Sequence, residues 1–244
     1  MSVAARERVV TGTGLALVLA LAWGYLWSSA ESMELMTMPG MDLPSAVALA
    51  FIMWTVMMAG MMLPSAAPAI VFYDTMVRKN RERGSVLAPV WIFVAGYLAV
   101  WTGFSLVVAI VQALLQERML LTPMIESASA PLSAGVLVAA GLYQWLPVKN
   151  VCLRACRHPF EFFATRWRAG ASGAFRMGLA HGSYCLGCCW VLMLVLFVTG
   201  AMDLLWVAIL TAFVFVEKLL PAAAYTSRIA GLALIGWGVW LLAS

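Results

Sequence analysis

Every cysteine and histidine in this 244-residue chain falls between Cys152 and Cys189, five cysteines and two histidines in all. They form two groups. The first reads Cys152-Leu-Arg-Ala-Cys156-Arg-His158, and the second His181-Gly-Ser-Tyr-Cys185-Leu-Gly-Cys188-Cys189-Trp190. Thiolate and imidazole together suit Cu⁺, Zn²⁺ and other soft or borderline ions. Neither group has a zinc-finger spacing by itself, so a metal site requires the two to meet. If residues 177–193 are helical, His181, Cys185 and either Cys188 or Cys189 share one face. The competing reading is packing, because an unreactive Cys behaves as a small hydrophobe. That explanation serves one membrane cysteine better than five accompanied by two histidines.

Methionine, with 16 copies, adds a second soft-donor pattern. Met33, Met36, Met38 and Met41 crowd a polar segment beside Glu31, Glu34 and Asp42. Met53, Met57 and Met61 recur every fourth residue, with Met58 and Met62 adjacent. Thioether sulfur is soft and uncharged, favouring Cu⁺ and serving Zn²⁺ or Mg²⁺ poorly. A neutral donor also costs far less to hold in hydrocarbon than a carboxylate. Flexible packing competes for the 53–62 stripe but explains the polar 33–41 segment less well. Taken together, a Met segment, a Met stripe and a Cys/His cluster describe a path of rising softness for Cu(I), with Zn as the alternative ion.

The elements that must position these donors follow from composition. The chain is 64% hydrophobic and 11% charged, with a mean hydropathy of +0.95. Soluble domains carry about 45–50% apolar and 25% charged residues, so soluble enzymes, nucleic-acid modules and disulfide-stapled secreted folds are excluded. The apolar runs do not alternate as barrel strands would. An all-α, polytopic membrane protein is expected, a single transmembrane domain over 1–244 with about seven helices. The spans run roughly over 9–30, 43–73, 84–116, 127–148, 177–202, 204–221 and 229–244, with six crossings if the last lies in the interface. Residues 149–176 form an inner loop, in which Phe160, Phe162, Phe163 and Trp167 lie partly along the headgroups. Trp23, Trp27, Trp91, Trp101 and Trp145 fall near span ends as interfacial anchors. Pro64 and Pro68 should break or kink the second span.

Charge placement orients the spans. With the N-terminus inside, all but Arg118 of the 15 basic residues fall on inner segments. Glu31, Glu34, Asp42, Glu117, Glu126 and Asp203 then fall outside. This asymmetry predicts N-in, C-out in a bacterial inner membrane. Arg6 and Arg8 ahead of the first run, with Ser28-Ser29-Ala30 after it, also allow a signal peptide, but the apolar stretch exceeds a usual signal core. A retained anchor helix is preferred. Asp74 is expected to pair with Arg78 one turn on, Gln144 needs a partner, and Glu217 and Lys218 are explained by snorkelling to the headgroups. Glu217 as an ion-pathway carboxylate is the alternative.

The strings Met57-Met58-Ala-Gly-Met61-Met62-Leu-Pro64-Ser65, Tyr143-Gln144-Trp-Leu-Pro147-Val-Lys149 and Cys152-Leu-Arg-Ala-Cys156-Arg157 resemble a bacterial domain-of-unknown-function family. So do His181-Gly182 through Cys188-Cys189-Trp190, and Glu217-Lys218 with Pro221. Members of that family are described as predicted metal-binding integral membrane proteins. The resemblance spans about residues 50–222 and implies a membrane metal-binding protein without implying a reaction.

The expected function is binding of a soft transition metal, with Cu(I) favoured, and its transport or hand-over by ligand exchange between sulfur sites. The partners would be the lipid bilayer, the metal ion and either a metallochaperone or a membrane complex, with no nucleic acid. No nucleophile–base set, P-loop or dinucleotide fingerprint is present. One rival is a membrane thiol–disulfide oxidoreductase using Cys185 and Cys188, opposed by the reducing side they face. Another is a structural or assembly subunit of a membrane complex. Two histidines are too few to favour haem.

Overall fold

The structure, a computed structural model, describes residues 3–31, 42–82, 87–122, 125–219 and 223–243, with the side chains of 3–10, 30–31, 81–82 and 223–224 not described. In chain order the helices are α1 (Val3–Glu31), α2 (Leu43–Glu82), α3 (Val90–Glu117), α4 (Ala130–Tyr143), α5 (Pro147–Arg157), α6 (Pro159–Arg166), α7 (Gly170–Leu194), α8 (Leu196–Thr199), α9 (Leu204–Leu219) and α10 (Ala223–Ala243). Among the described residues there is no strand beyond one isolated bridge, Leu121 to Ser127. Five helices are long and apolar enough to cross a membrane: α1, α2, α3, α7 and α10. A sixth crossing arises if α4 and α5, bent by 65° at their junction, form one broken span. Residues 204–219 make a helix of 16 residues, shorter than the roughly 20 that cross a hydrocarbon core upright.

Prolines and a carboxylate set the helix starts. Pro131, Pro147 and Pro159 occupy the first turns of α4, α5 and α6, where a missing N–H costs nothing. Asp42 precedes α2, its carboxylate accepting from the Ser45 hydroxyl at 2.8 Å and the Ser45 amide at 3.3 Å. Those bonds hold its carboxyl below the ordinary 3.8, so this cap acts only while Asp42 is ionised and is lost on acidification. Gly200, at φ +89°, ends α8 and turns the chain towards α9.

Several expectations are corrected. The 149–176 stretch is a pair of helices followed by the first turns of α7, not a loop. Lys149, Leu153 and Cys156 recur at helical spacing on the buried face of α5, while Arg154 faces out. Phe162 and Phe163 are buried, Phe163 stacking on Phe72 at 5.6 Å, and Phe160 remains exposed. Trp101 is buried midway along α3 rather than anchoring an end. Helix α2 runs through Pro64 and Pro68 without a break. Just before Pro64 the Met62 carbonyl accepts from the Ser65 hydroxyl at 2.8 Å and from the Tyr97 hydroxyl of α3 at 3.0 Å.

The bundle is organised around α3, which packs most extensively on α7 and α2, while α4 pairs with α10. At the α3–α7 crossing a Cβ on Gly178 would lie 2.1 Å from the Phe93 carbonyl oxygen, and one on Gly96 would lie 2.2 Å from that of Phe175. Only glycine permits this approach. Trp54 on α2 donates to Gln112 on α3 at 2.6 Å, and the Thr11 hydroxyl of α1 donates to Asp74 at 3.3 Å. Asp74 pairs with Arg78 at 2.7 Å as expected.

Candidate metal centre

The close glycine contact between α3 and α7 carries Tyr97 to the cysteine face of α7. His181, Cys185, Cys188 and Cys189 are all buried on that helix. Cys185 is the hub. Its Sγ lies 3.0 Å from the Tyr97 hydroxyl and accepts from Lys218 Nζ of α9 at 2.9 Å. Lys218 also donates to Ser65 of α2 at 2.8 Å. The Tyr97 phenol thus has one proton and two acceptors in reach, the Met62 carbonyl and the Cys185 sulfur.

The second cysteine group meets the first. Cys156 of α5 is buried, with its thiol interacting with Cys185 and Cys188, and Cys188 and Cys189 also interact with the Cys185 thiol. Within α7 the thiols of Cys188 and Cys189 donate back to the Cys185 carbonyl at 3.0 and 3.1 Å. Cys152 is half-buried and lies so close to Gly187 that a Cβ there would come within 2.7 Å of its sulfur. All five cysteines are free thiols.

The methionine stripe joins the same interior. Met53, Met57, Met58, Met61 and Met62 are all buried, and Met62 Sδ lies 4.0 Å from Cys189 Sγ. His181 is buried one turn before Cys185 among Phe93, Tyr97 and Phe162, the last edge-on with centroids 5.1 Å apart. Its Nδ1 has no hydrogen-bond partner. His158 does not join this interior and is exposed at the α5–α6 junction. Met33, Met36, Met38 and Met41 lie outside the described residues. Among the described residues, no group of three or more His, Cys, Asp or Glu side chains is arranged to hold a metal ion.

What sequence reading missed is the burial and the partners of the charged residues it had named. Glu217 and Lys218 do not snorkel: their exposures are 0% and 5%. Lys218 turns to Cys185, whereas Glu217 accepts from Lys149 Nζ at 2.5 Å and from the Ser227 hydroxyl. Lys149 also donates to Gln144 Oε1, the partner that Gln144 required. A charge inside an apolar run is a reason to look for a buried partner, and that signal was present. Tyr97 offered none, being an ordinary residue in an apolar helix, and Ser65 entered only as the end of a motif.

A family described as "PpoB2: Copper chaperone" matches residues 51–241 of this chain. No curated protein matches. No solved structure matches either.

Proposed function

The chain belongs to the PpoB2 family of copper chaperones, and from that premise we propose that it carries Cu(I) as cargo on the sulfur-lined interior between α2, α5 and α7. Cys152, Cys156, Cys185, Cys188, Cys189 and His181 are the proposed ligands on one side. Met53, Met57, Met58, Met61 and Met62 line the proposed approach. Met33, Met36, Met38 and Met41 would collect the ion outside, and His158 would meet it at the inner surface. The observation that carries this reading is the 4.0 Å approach of Met62 Sδ to Cys189 Sγ. It joins one end of the thioether stripe to the thiol cluster, and such soft donors suit Cu(I) better than Zn(II).

Movement needs only ligand exchange, with no nucleotide and no covalent step. Neutral thioethers pass a monovalent ion through an apolar interior at low electrostatic cost, and thiolates then hold it more tightly. The setting is a single polytopic domain in the bacterial inner membrane, N-terminus inside, with a soluble metallochaperone or a membrane complex exchanging the ion.

Metal content of the anaerobically purified protein tests the reading. Wild type is expected to retain copper, and Cys185→Ser and Cys188→Ser to lose most of it while remaining monodisperse in detergent. A wild type holding no copper under reducing conditions ends the proposal.

A further inference from the structure

One end of the bundle gathers positive charge around an amphipathic cavity. The cavity, open and about 760 Å³ in volume, lies at the α6–α7 link. Arg166, Trp167, Arg168 and Arg176 border it, with Met177 and Ala180 of α7 as its apolar wall. The three arginines are exposed, and among the described residues none of them pairs with a carboxylate. The acid nearest to them in sequence, Glu161, is held by Arg154 at 3.0 and 3.3 Å. Arg166 is fixed in place, donating to the Tyr184 hydroxyl and lying over that ring at 5.0 Å. Arg168 is placed by its backbone. A Cβ on Gly173 would lie 2.6 Å from the Arg168 carbonyl oxygen, so the link lies tight against the first turn of α7.

Depth decides which anions reach such a cavity. Helices α7 and α8 together cover Gly170–Thr199, 30 residues, or about 45 Å at 1.5 Å per residue. The hydrocarbon core is about 30 Å thick, so the surplus leaves the first turns of α7 among the headgroups. Arg176 lies about 9 Å into the helix, and Ala180 one turn deeper. The cavity therefore runs from guanidinium groups at headgroup depth to an apolar wall at the edge of the hydrocarbon. Phe175, next to Arg176 in sequence, is exposed, as a ring facing lipid would be. A small soluble anion would use the charges alone, whereas an amphipathic one uses both walls. The volume also falls within the roughly 300–1,000 Å³ of sites that bury a whole organic ligand.

We propose that this cavity binds an anionic phospholipid, its phosphodiester held by Arg166, Arg168 and Arg176 and the start of its acyl chains lying along Met177 and Ala180. Guanidinium suits this task because its planar fork meets phosphate oxygens in pairs. Basic pockets between membrane helices take such headgroups. A basic membrane face attracts anionic lipid only diffusely, but here three cations border one cavity that no carboxylate lines. The site does not depend on copper binding.

The probes are phosphatidylglycerol and phosphatidylcholine with identical acyl chains, titrated into the full chain in uncharged detergent and counted as bound adducts by native mass spectrometry. Wild type is expected to bind phosphatidylglycerol at least about tenfold more tightly, and Arg168→Gln/Arg176→Gln to lose that preference. Lys79→Gln removes an exposed cation from the same end of the bundle but outside the cavity, and should keep it. Equal wild-type affinities for the two lipids overturn the proposal. So does an equal loss in Lys79→Gln, which would reveal only diffuse surface charge. Glycerol phosphate and a poly-glutamate peptide serve as competitors. Displacement of the lipid by an equal concentration of glycerol phosphate would make this a site for free phosphate, and displacement by the peptide would make it a docking face for an acidic protein. Either result overturns the lipid assignment. The wild-type comparison decides the matter even if a variant does not fold.

Discussion

At the scale of single residues, the interior is unusual for what it buries with the sulfur. Lys149 and Glu217 are fully buried and bonded to each other, with Gln144 and Ser227 as further partners. Such a pair contributes little compared with well-packed apolar residues, but leaving one member alone is costly. Lys149→Met should therefore destabilise the protein by about 3–5 kcal/mol, and adding Glu217→Gln should recover a substantial part. Thermal unfolding in detergent compares the two, and equal midpoints for single and double variants would refute the pairing argument. Met62→Leu separates chemistry from packing, because it conserves volume and hydrophobicity at a cost under about 1.5 kcal/mol. It should keep the unfolding midpoint near wild type while lowering Cu(I) affinity, as read by chelator competition. Unchanged affinity would make Met62 a packing residue. The donor types were legible in the sequence, since Cys and Met declare their chemistry by identity. Their electrostatic setting was not: Lys218 could be read at a membrane face because nothing in sequence says that α9 turns it towards Cys185.

At the scale of elements, one crossing fixes the geometry of the site. Gly96 and Gly178 bring the α3 and α7 backbones into contact, and Gly182 approaches the Tyr97 carbonyl, to which its Cβ would lie 3.0 Å. Tyr97 and Cys185 are neighbours only while that crossing is tight. Gly178→Ala should force the helices apart, costing about 1–3 kcal/mol as overpacked cores do, and should weaken metal binding without altering any ligand. Gly103→Ala on the same α3 meets nothing within 4 Å and should be neutral or stabilising by about 0.5–1 kcal/mol. Equal effects of the two substitutions on midpoint and affinity would contradict the role assigned to the crossing. The helical pattern of α7 was readable from His181, Cys185 and Cys188. The bend at 144–146 and the two helices after it were not, because Lys149, Arg154 and Arg157 resemble a solvated loop. Only the burial of Lys149 beside Leu153 and Cys156 shows that one face of α5 belongs to the core. Convergence of the two cysteine groups depends on that bend, so sequence could state it only as a condition.

At the scale of the whole molecule, helix directions turn the charge census into a geometric statement. Phe93 and Gly96 near the start of α3 meet Phe175 and Gly178 near the start of α7, so these helices run the same way. Helix α2 runs opposite to α3, since Met62 meets Tyr97 while Tyr73, farther along α2, reaches back to Ala88 before α3. The ends of α2 and α6 and the start of α7 therefore share one end of the bundle, with Arg78, Arg166, Arg168 and Arg176. Arg118 follows the far end of α3, a helix of 28 residues and hence about 42 Å long. Near that far end Ser127 donates to the Phe197 carbonyl at 2.7 Å. The separation of Arg118 from Arg78, Arg166, Arg168 and Arg176 is thus a property of the fold as well as of the sequence, and on the positive-inside rule the arginine-rich end is expected on the cytoplasmic side. Arg166, Arg168 and Arg176 are exposed around an open cavity of about 760 Å³, and Arg166 and Arg168 sit at the short non-helical link between α6 and α7. Trypsin added to inside-out membrane vesicles should cut near Arg166 and Arg168, and in right-side-out vesicles only Arg118 should be open to it. Mass mapping of the fragments reads the result directly. Cleavage at Arg166 or Arg168 from the outside would reverse the orientation, and with it the direction in which a Met-to-Cys path could carry copper.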